Sequence, residues 1–245
     1  MLRFFSKIRF KLVAENKVAK PASRTGRYLR YAIGEILLVV IGILIALQVN
    51  NWNEDKKTKR IEVKTLKELR SDLIQNRDEI ELHISSLETC KKANEIVLFH
   101  FKNNLPYHDS LDIYFGNLYP YITFTPIQTT YDNLRQTGIN LISNDSLRTK
   151  ISVLYSNNFN AFRVFESTYF VEHYTNYIKP MLMNEFITFE AFSLKPKDYN
   201  ELIKSQKYKQ IMNYTVSNCQ VFIAFQTQLK DTVERLITEI DTEID

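Results

Sequence analysis

Glycine and proline are scarce in this 245-residue chain, five of one and six of the other. Neither occurs between Gly42 and Pro106. A turn-rich β fold needs such residues at its corners, so their scarcity excludes one and points to long helices. Cysteine occurs twice, histidine four times and tryptophan once. Two cysteines cannot build a disulfide scaffold. The histidines (His83, His100, His108, His173) have no ligand spacing, and no HExxH, CxxC or GxSxG motif occurs. With no acid–base or nucleophile set in view, the expectation is a protein without catalytic activity, cofactor or metal.

What the chain does have is one long apolar run. Ala32 to Val49 reads AIGEILLVVIGILIALQV, in which only Glu35 and Gln48 are polar. At 1.5 Å per residue, about 20 residues cross a bilayer core, and Tyr31 and Asn50-Asn51-Trp52 supply the margin. The run reads as a transmembrane helix, with Trp52 as an interfacial anchor.

Charge sets its orientation. Residues 1–30 carry nine Lys or Arg against Glu15 alone, a net +8. Glu35 adds −1, so residues 50–245 hold −3 of the chain's +4. The positive flank stays in the cytoplasm and the C-terminal part lies across the membrane. A cleaved signal peptide is the competing reading, but its apolar core is shorter and ends in an Ala-x-Ala site that Leu47-Gln48-Val49-Asn50 lacks. Within the tail, Leu2, Phe5, Ile8 and Leu12 recur at helical spacing among basic residues. Two readings stand there, a helix lying on an anionic leaflet and a plain topogenic tail. Pro21 and Gly26 separate this tail from the span. The boundaries read as a basic cytoplasmic segment 1–30, a transmembrane helix 31–52 and a helical domain 53–245.

The mildly acidic part beyond the span gives no electrostatic basis for binding nucleic acid. It opens with a helix in which Leu66, Leu69, Leu73, Asn76, Ile80, His83, Leu87, Cys90, Asn94, Val97 and Phe101 alternate at three and four. This is the core face of a bundle helix or the seam of a coiled-coil dimer with Asn76 setting register; polar Asn76, His83 and Asn94 weaken the second reading. Pro106 breaks the helix. YPYITFTP, bracketed by Pro120 and Pro126, reads as irregular or extended. A short helix from Thr129 carries a Thr N-cap and Gly138 beyond its end. Ser143-Asn144-Asp145 caps a long helix over about 145–190, with a stripe through Leu147, Ile151, Leu154, Tyr155, Phe159, Phe162, Phe165, Tyr169 and Phe170, and a kink at Pro180. A last helix spans about 198–240. The class is all-α: a single N-terminal transmembrane helix followed by an antiparallel helical bundle with long helices. Glu239, Asp241, Glu243 and Asp245 read as a solvated end rather than a metal site. Cys90 and Cys219 are either one disulfide or two buried thiols.

The segments ENK and RYLRYAIGEILLVVIGILIALQVNNWNE, followed by a charged helix, resemble the N-terminus of an uncharacterised family of single-pass membrane proteins from Bacteroidota. TTYDNLRQTGINLISNDSLRTKISVLY resembles a second block shared by that family. The resemblance implies no activity. It implies a two-membrane bacterium, hence an inner-membrane anchor and a periplasmic domain.

In the span, Gly34, Leu38, Gly42 and Ala46 share one stripe, and small residues let helices approach closely in lipid. The stripe implies a homodimer or pairing with another membrane protein. A carboxyl in a span is costly. Glu35 either snorkels or pairs with Arg27 or Arg30, or it makes a polar or proton-carrying contact. Two functions are consistent with these features: a membrane-anchored interaction or sensory module, and an accessory subunit of an envelope complex packing through Glu35 and the glycine stripe.

Overall fold

The computed structural model describes residues 24–120, 123–190 and 192–244. The amphipathic pattern at Leu2–Leu12, Pro21 and Asp245 lie outside them. The chain divides into two compact units, Met1–Lys57 and Thr58–Asp245. The described chain is 85% helical with few strands, so the all-α class is correct.

Helix α1 runs Arg24–Lys102. It starts earlier than the apolar run does, and it includes Gly26. In the first unit every side chain over residues 31–57 is exposed. The helix is long and apolar enough to cross a membrane. An apolar surface of that extent is not stable facing water, so it needs a cover.

The second unit is organised by the α1 seam. All eleven seam residues from Leu66 to Phe101 are buried, and neighbours from the same chain fill them. The polar members bind the segment that comes after the helix. Asn76 accepts the Ile127 N–H at 2.7 Å and donates to the Ile127 carbonyl at 3.0 Å. Asn76 therefore pins a loop of its own chain and does not act as the register residue of a coiled coil. Glu79 and Asp72 accept the backbone N–H groups of Thr125 and Thr130, each at 3.2 Å. Asn94 donates to the Leu118 carbonyl at 3.1 Å. Because 118 meets 94, 127 meets 76 and 130 meets 72, the stretches 103–120 and 123–144 run back along α1.

Two short helices lie in that return, α2 (Leu111–Gly116) and α3 (Thr129–Thr137). The expected Thr cap on α3 is absent: Gln128 precedes it and makes no side-chain cap, and Asp72 of α1 satisfies Thr130 instead. Gly138 ends it at φ 122°, a conformation that a side chain resists. At the corner, Glu62 accepts the Ser143 N–H and hydroxyl, each at 2.7 Å. Asn144 then caps the next helix as expected, accepting from the Leu147 N–H at 3.1 Å.

That helix, over 145–185, is built as α4 (Asp145–Val153), α5 (Phe159–Phe165) and α6 (Lys179–Glu185), joined through π turns at Leu154–Asn158, Glu166–Val171 and Tyr174–Ile178. It runs the same way as α1, since residue 143 meets 62 and 166 meets 83. A simple up-down path would have made these two helices antiparallel; the irregular return segment takes the place of the descending helix. Each π turn inserts about one residue and rotates the rest of the helix by about 100°. Beyond Phe162 the buried face accordingly passes through Glu166, Phe170 and His173, and the expected stripe residue Tyr169 is 46% exposed. Pro180 falls at the start of α6, directly after a π turn, where its missing N–H is tolerated.

The long helix ends earlier than expected, in an antiparallel hairpin, β1 (Phe186–Glu190) and β2 (Ser193–Pro196). The hairpin seats on α2, where a Cβ added to Gly116 would lie 2.1 Å from the Phe192 carbonyl carbon. Asp198 caps α7 (Tyr199–Lys204), and α8 (Gln206–Ile244) comes next after a break at Ser205. Helix α8 descends antiparallel to α1, as Lys230–Glu81 and the Arg70–Asp241 pair show. Its terminal carboxylates are not simply solvated. Glu239 pairs with Lys150, Asp241 with Arg70 and Glu243 with Lys59, tying three elements at one end.

Asn76→Ala is expected to destabilise the second unit by about 1–3 kcal/mol, because it empties a buried side-chain site and leaves both half-buried backbone groups of Ile127 without that partner. The exposed neighbour Gln75→Ala should shift the urea midpoint little. Equal effects of the two substitutions would remove the pinning role.

Candidate functional site

The span residues singled out from sequence are all presented outward. Gly34, Glu35, Gly42 and Ala46 are exposed, and a Cβ built on Gly34 or Gly42 meets nothing within 4 Å. Trp52 is 59% exposed and carries the Lys56 ammonium 3.6 Å from its ring centroid. This cation–π pair suits a position where an apolar ring meets a charged surface. Among the described residues, no side chain covers the glycine stripe.

The second unit holds a site that residue spacing alone does not assemble. His83 on α1, Glu166 at the start of a π turn and Gln226 on α8 meet in the core, and all three are buried. The Gln226 amide nitrogen lies against His83 Nδ1 in a short hydrogen bond. With the amide as donor, the ring hydrogen sits on Nε2, which is 3.4 Å from Glu166 Oε1. Burial pushes the Glu166 carboxyl up to about 7, opposed by a lesser hydrogen bond from the Phe124 N–H. Aromatic rings wall the cluster. Phe162 meets His83 edge-on at 6.2 Å, Phe124 packs on Phe159 and Phe162, and Phe222 closes on Phe162 and Phe170. This apolar wall is the cause of the carboxyl shift.

Nearby polar groups are also internal. His173 Nε2 lies 2.9 Å from Thr215 Oγ1, whose hydroxyl donates to the Ile211 carbonyl at 2.9 Å. The imidazole is therefore the donor in that pair, and burial holds its pKa below the ordinary value. Cys90 and Cys219 are both buried with Sγ atoms 3.6 Å apart. No group of three or more His, Cys, Asp or Glu able to hold a metal occurs among the described residues. The surface grooves lie elsewhere, one lined by Ile61, Thr65, Thr130, Leu134, Thr137 and Leu141.

Chemically, His83, Glu166 and Gln226 form a proton-holding contact between three elements, shielded by rings. Its signal was available in the sequence: Phe159, Phe162, Glu166, Phe170 and His173 keep helical spacing, which sets one acid inside an aromatic stripe.

These features define a helical protein with one apolar span candidate and a buried polar core contact. The chain belongs to a family of unknown function, DUF6090, whose model matches residues 35–201. That match takes in the apolar run from Glu35 onward, the return segment and the helix carrying Glu166. Comparison with curated proteins and with solved structures gives no match.

The carboxyl shift makes stability depend on pH. Between about 4.5 and about 7 the native state holds a proton on Glu166 that the unfolded chain has released, so this group lowers stability as pH rises. His173 acts the other way, lowering stability as pH falls through 6.5. Glu166→Gln is expected to gain about 1–3 kcal/mol over the native chain at pH 8 and nothing below pH 4.5. Urea denaturation across pH 4–8 reads the difference; a constant offset at every pH would exclude the buried proton.

Proposed function

We propose that this chain is a single-pass inner-membrane protein with its N-terminus in the cytoplasm and its helical unit in the periplasm. There the unit serves as a non-catalytic interaction or sensory module. The observation that carries the reading is the helix over residues 31–57, apolar across its first two-thirds and exposed on every face. Lipid is the natural cover for such a surface. The +8 flank before it supports the orientation, and Trp52 with Lys56 suits the far interface. The resemblance to Bacteroidota membrane proteins supports the compartment. The antiparallel packing of α8 against α1 and the helix over 145–185 supports a bundle that folds as one body and offers its surface to a partner.

A second reading makes the chain an accessory subunit of an envelope complex. It is favoured by the outward stripe of Gly34, Gly42 and Ala46 with Glu35 beside it, which is open to another helix. The partner is then a second copy or another membrane protein.

A reporter enzyme fused after Asp245 should be active only in the periplasm; cytoplasmic activity overturns the reading. Within the span, Gly42→Ile should cut in-membrane crosslinking several-fold while leaving insertion intact, because it adds apolar surface but fills the flat patch. Unchanged crosslinking would leave the span as a plain anchor. Glu35→Gln should be silent for a snorkelling carboxylate and abolish function for a proton-carrying one.

A further inference from the structure

We propose that Cys90 and Cys219 form a disulfide, closed while the chain folds and then sealed inside the second unit. They are the only two cysteines, 129 positions apart, and the fold brings them sulfur to sulfur at 3.6 Å between α1 and α8. Each is at most 1% exposed. A disulfide bond is about 2.0 Å long, so closure asks for an approach of about 1.5 Å. The surroundings tolerate it. The Cys219 thiol donates to Cys90 Sγ, and the Cys90 thiol donates to the Leu118 carbonyl at 3.4 Å. Losing the second hydrogen orphans nothing, because Asn94 Nδ2 still donates to that carbonyl at 3.1 Å.

The step is thiol–disulfide exchange with a disulfide-bearing oxidant, R–S–S–R. One cysteine thiolate attacks it, forming a mixed disulfide and releasing RS⁻. The other cysteine thiolate attacks the mixed disulfide, forming the Cys90–Cys219 bond and releasing the second RS⁻. Two cysteine thiols are oxidised, one R–S–S–R is reduced to two R–SH, and the two cysteine protons end on the leaving sulfurs.

Access sets the timing. Exchange needs a thiolate that the oxidant can reach. In the folded core both sulfurs are covered, and burial raises the Cys90 thiol well above its ordinary value. The bond therefore closes before α8 docks on α1, and thereafter neither oxidant nor reductant reaches it. The supply of oxidant rests on the proposed periplasmic location; the pairing itself does not.

Two arms keep these apart. Full-length protein in its native membranes is denatured in acid and labelled with a maleimide–polyethylene glycol, before and after reduction. No label before and two after is the expected result, with none at any stage in the Cys90→Ser/Cys219→Ser double variant. In the second arm, full-length protein is unfolded, then refolded in detergent with a reduced and oxidised glutathione buffer. The bond should close within the chain and raise the urea midpoint above that of the double variant. Protein folded first in the reduced state should close it at least about 100-fold more slowly. Two free thiols after refolding in excess oxidised glutathione would overturn the pairing. A bond in the refolded chain with free thiols in the membranes would uphold the pairing and sink the periplasmic location.

Discussion

The grip of Asn76 on both backbone groups of Ile127 is the interaction on which the second unit depends. The return segment has no helix or strand around residue 127, so its backbone cannot satisfy itself. Left half-buried and unpaired, those groups would together cost about 1–3 kcal/mol. Asn76, helped by Asp72, Glu79 and Asn94, provides the partners from α1. Only with that segment laid down along α1 does the chain reach Glu62, turn at Ser143 and send the next helix up beside the first. The polar interruptions in an otherwise apolar seam therefore decide topology; they are not weaknesses in it.

The same logic extends up the seam. His83 meets Glu166 and Gln226, and Asn94 lies beside Cys90. The polar seam positions thus divide between partners: Asn76 and Asn94 hold the return segment at two points, and His83 meets the π-turn helix and α8. Apolar residues alone would permit many registers among these helices, whereas matched polar partners permit few. The buried Glu166 carboxyl, pushed to about 7 by its aromatic walls, adds a proton to this contact. A unit whose core holds or releases a proton near neutral pH has a stability that depends on pH over that range.

Much of the scaffold was legible in the sequence. The eleven-residue seam was readable because no glycine or proline breaks its spacing, and Gly138 and the Asn144 cap were readable from turn chemistry. The apolar run was plain from composition. The hairpin was not: Phe186-Ile187-Thr188-Phe189 is a short apolar run that suits a helix or a strand, and its pairing with Ser193–Pro196 is fixed by docking on Gly116. The π turns were also hidden, because one extra residue per turn leaves no mark in residue type. That is why Tyr169 read as inward. The direction of the second long helix could not be read either, since it depends on side chain to backbone bonds between residues 51 to 81 positions apart.

The span and the core make different demands of one chain. The first unit presents an apolar stripe that needs lipid or another helix; the second buries polar groups that need specific partners. The central claim, that α1 polar side chains hold an irregular segment as firmly as regular structure, is tested most directly by amide hydrogen exchange on the full chain in detergent. The Ile127 amide should be protected to the level of the α1 and α8 backbone, although it lies outside any helix or strand. Exchange of Ile127 at the rate of an open surface loop would contradict the account.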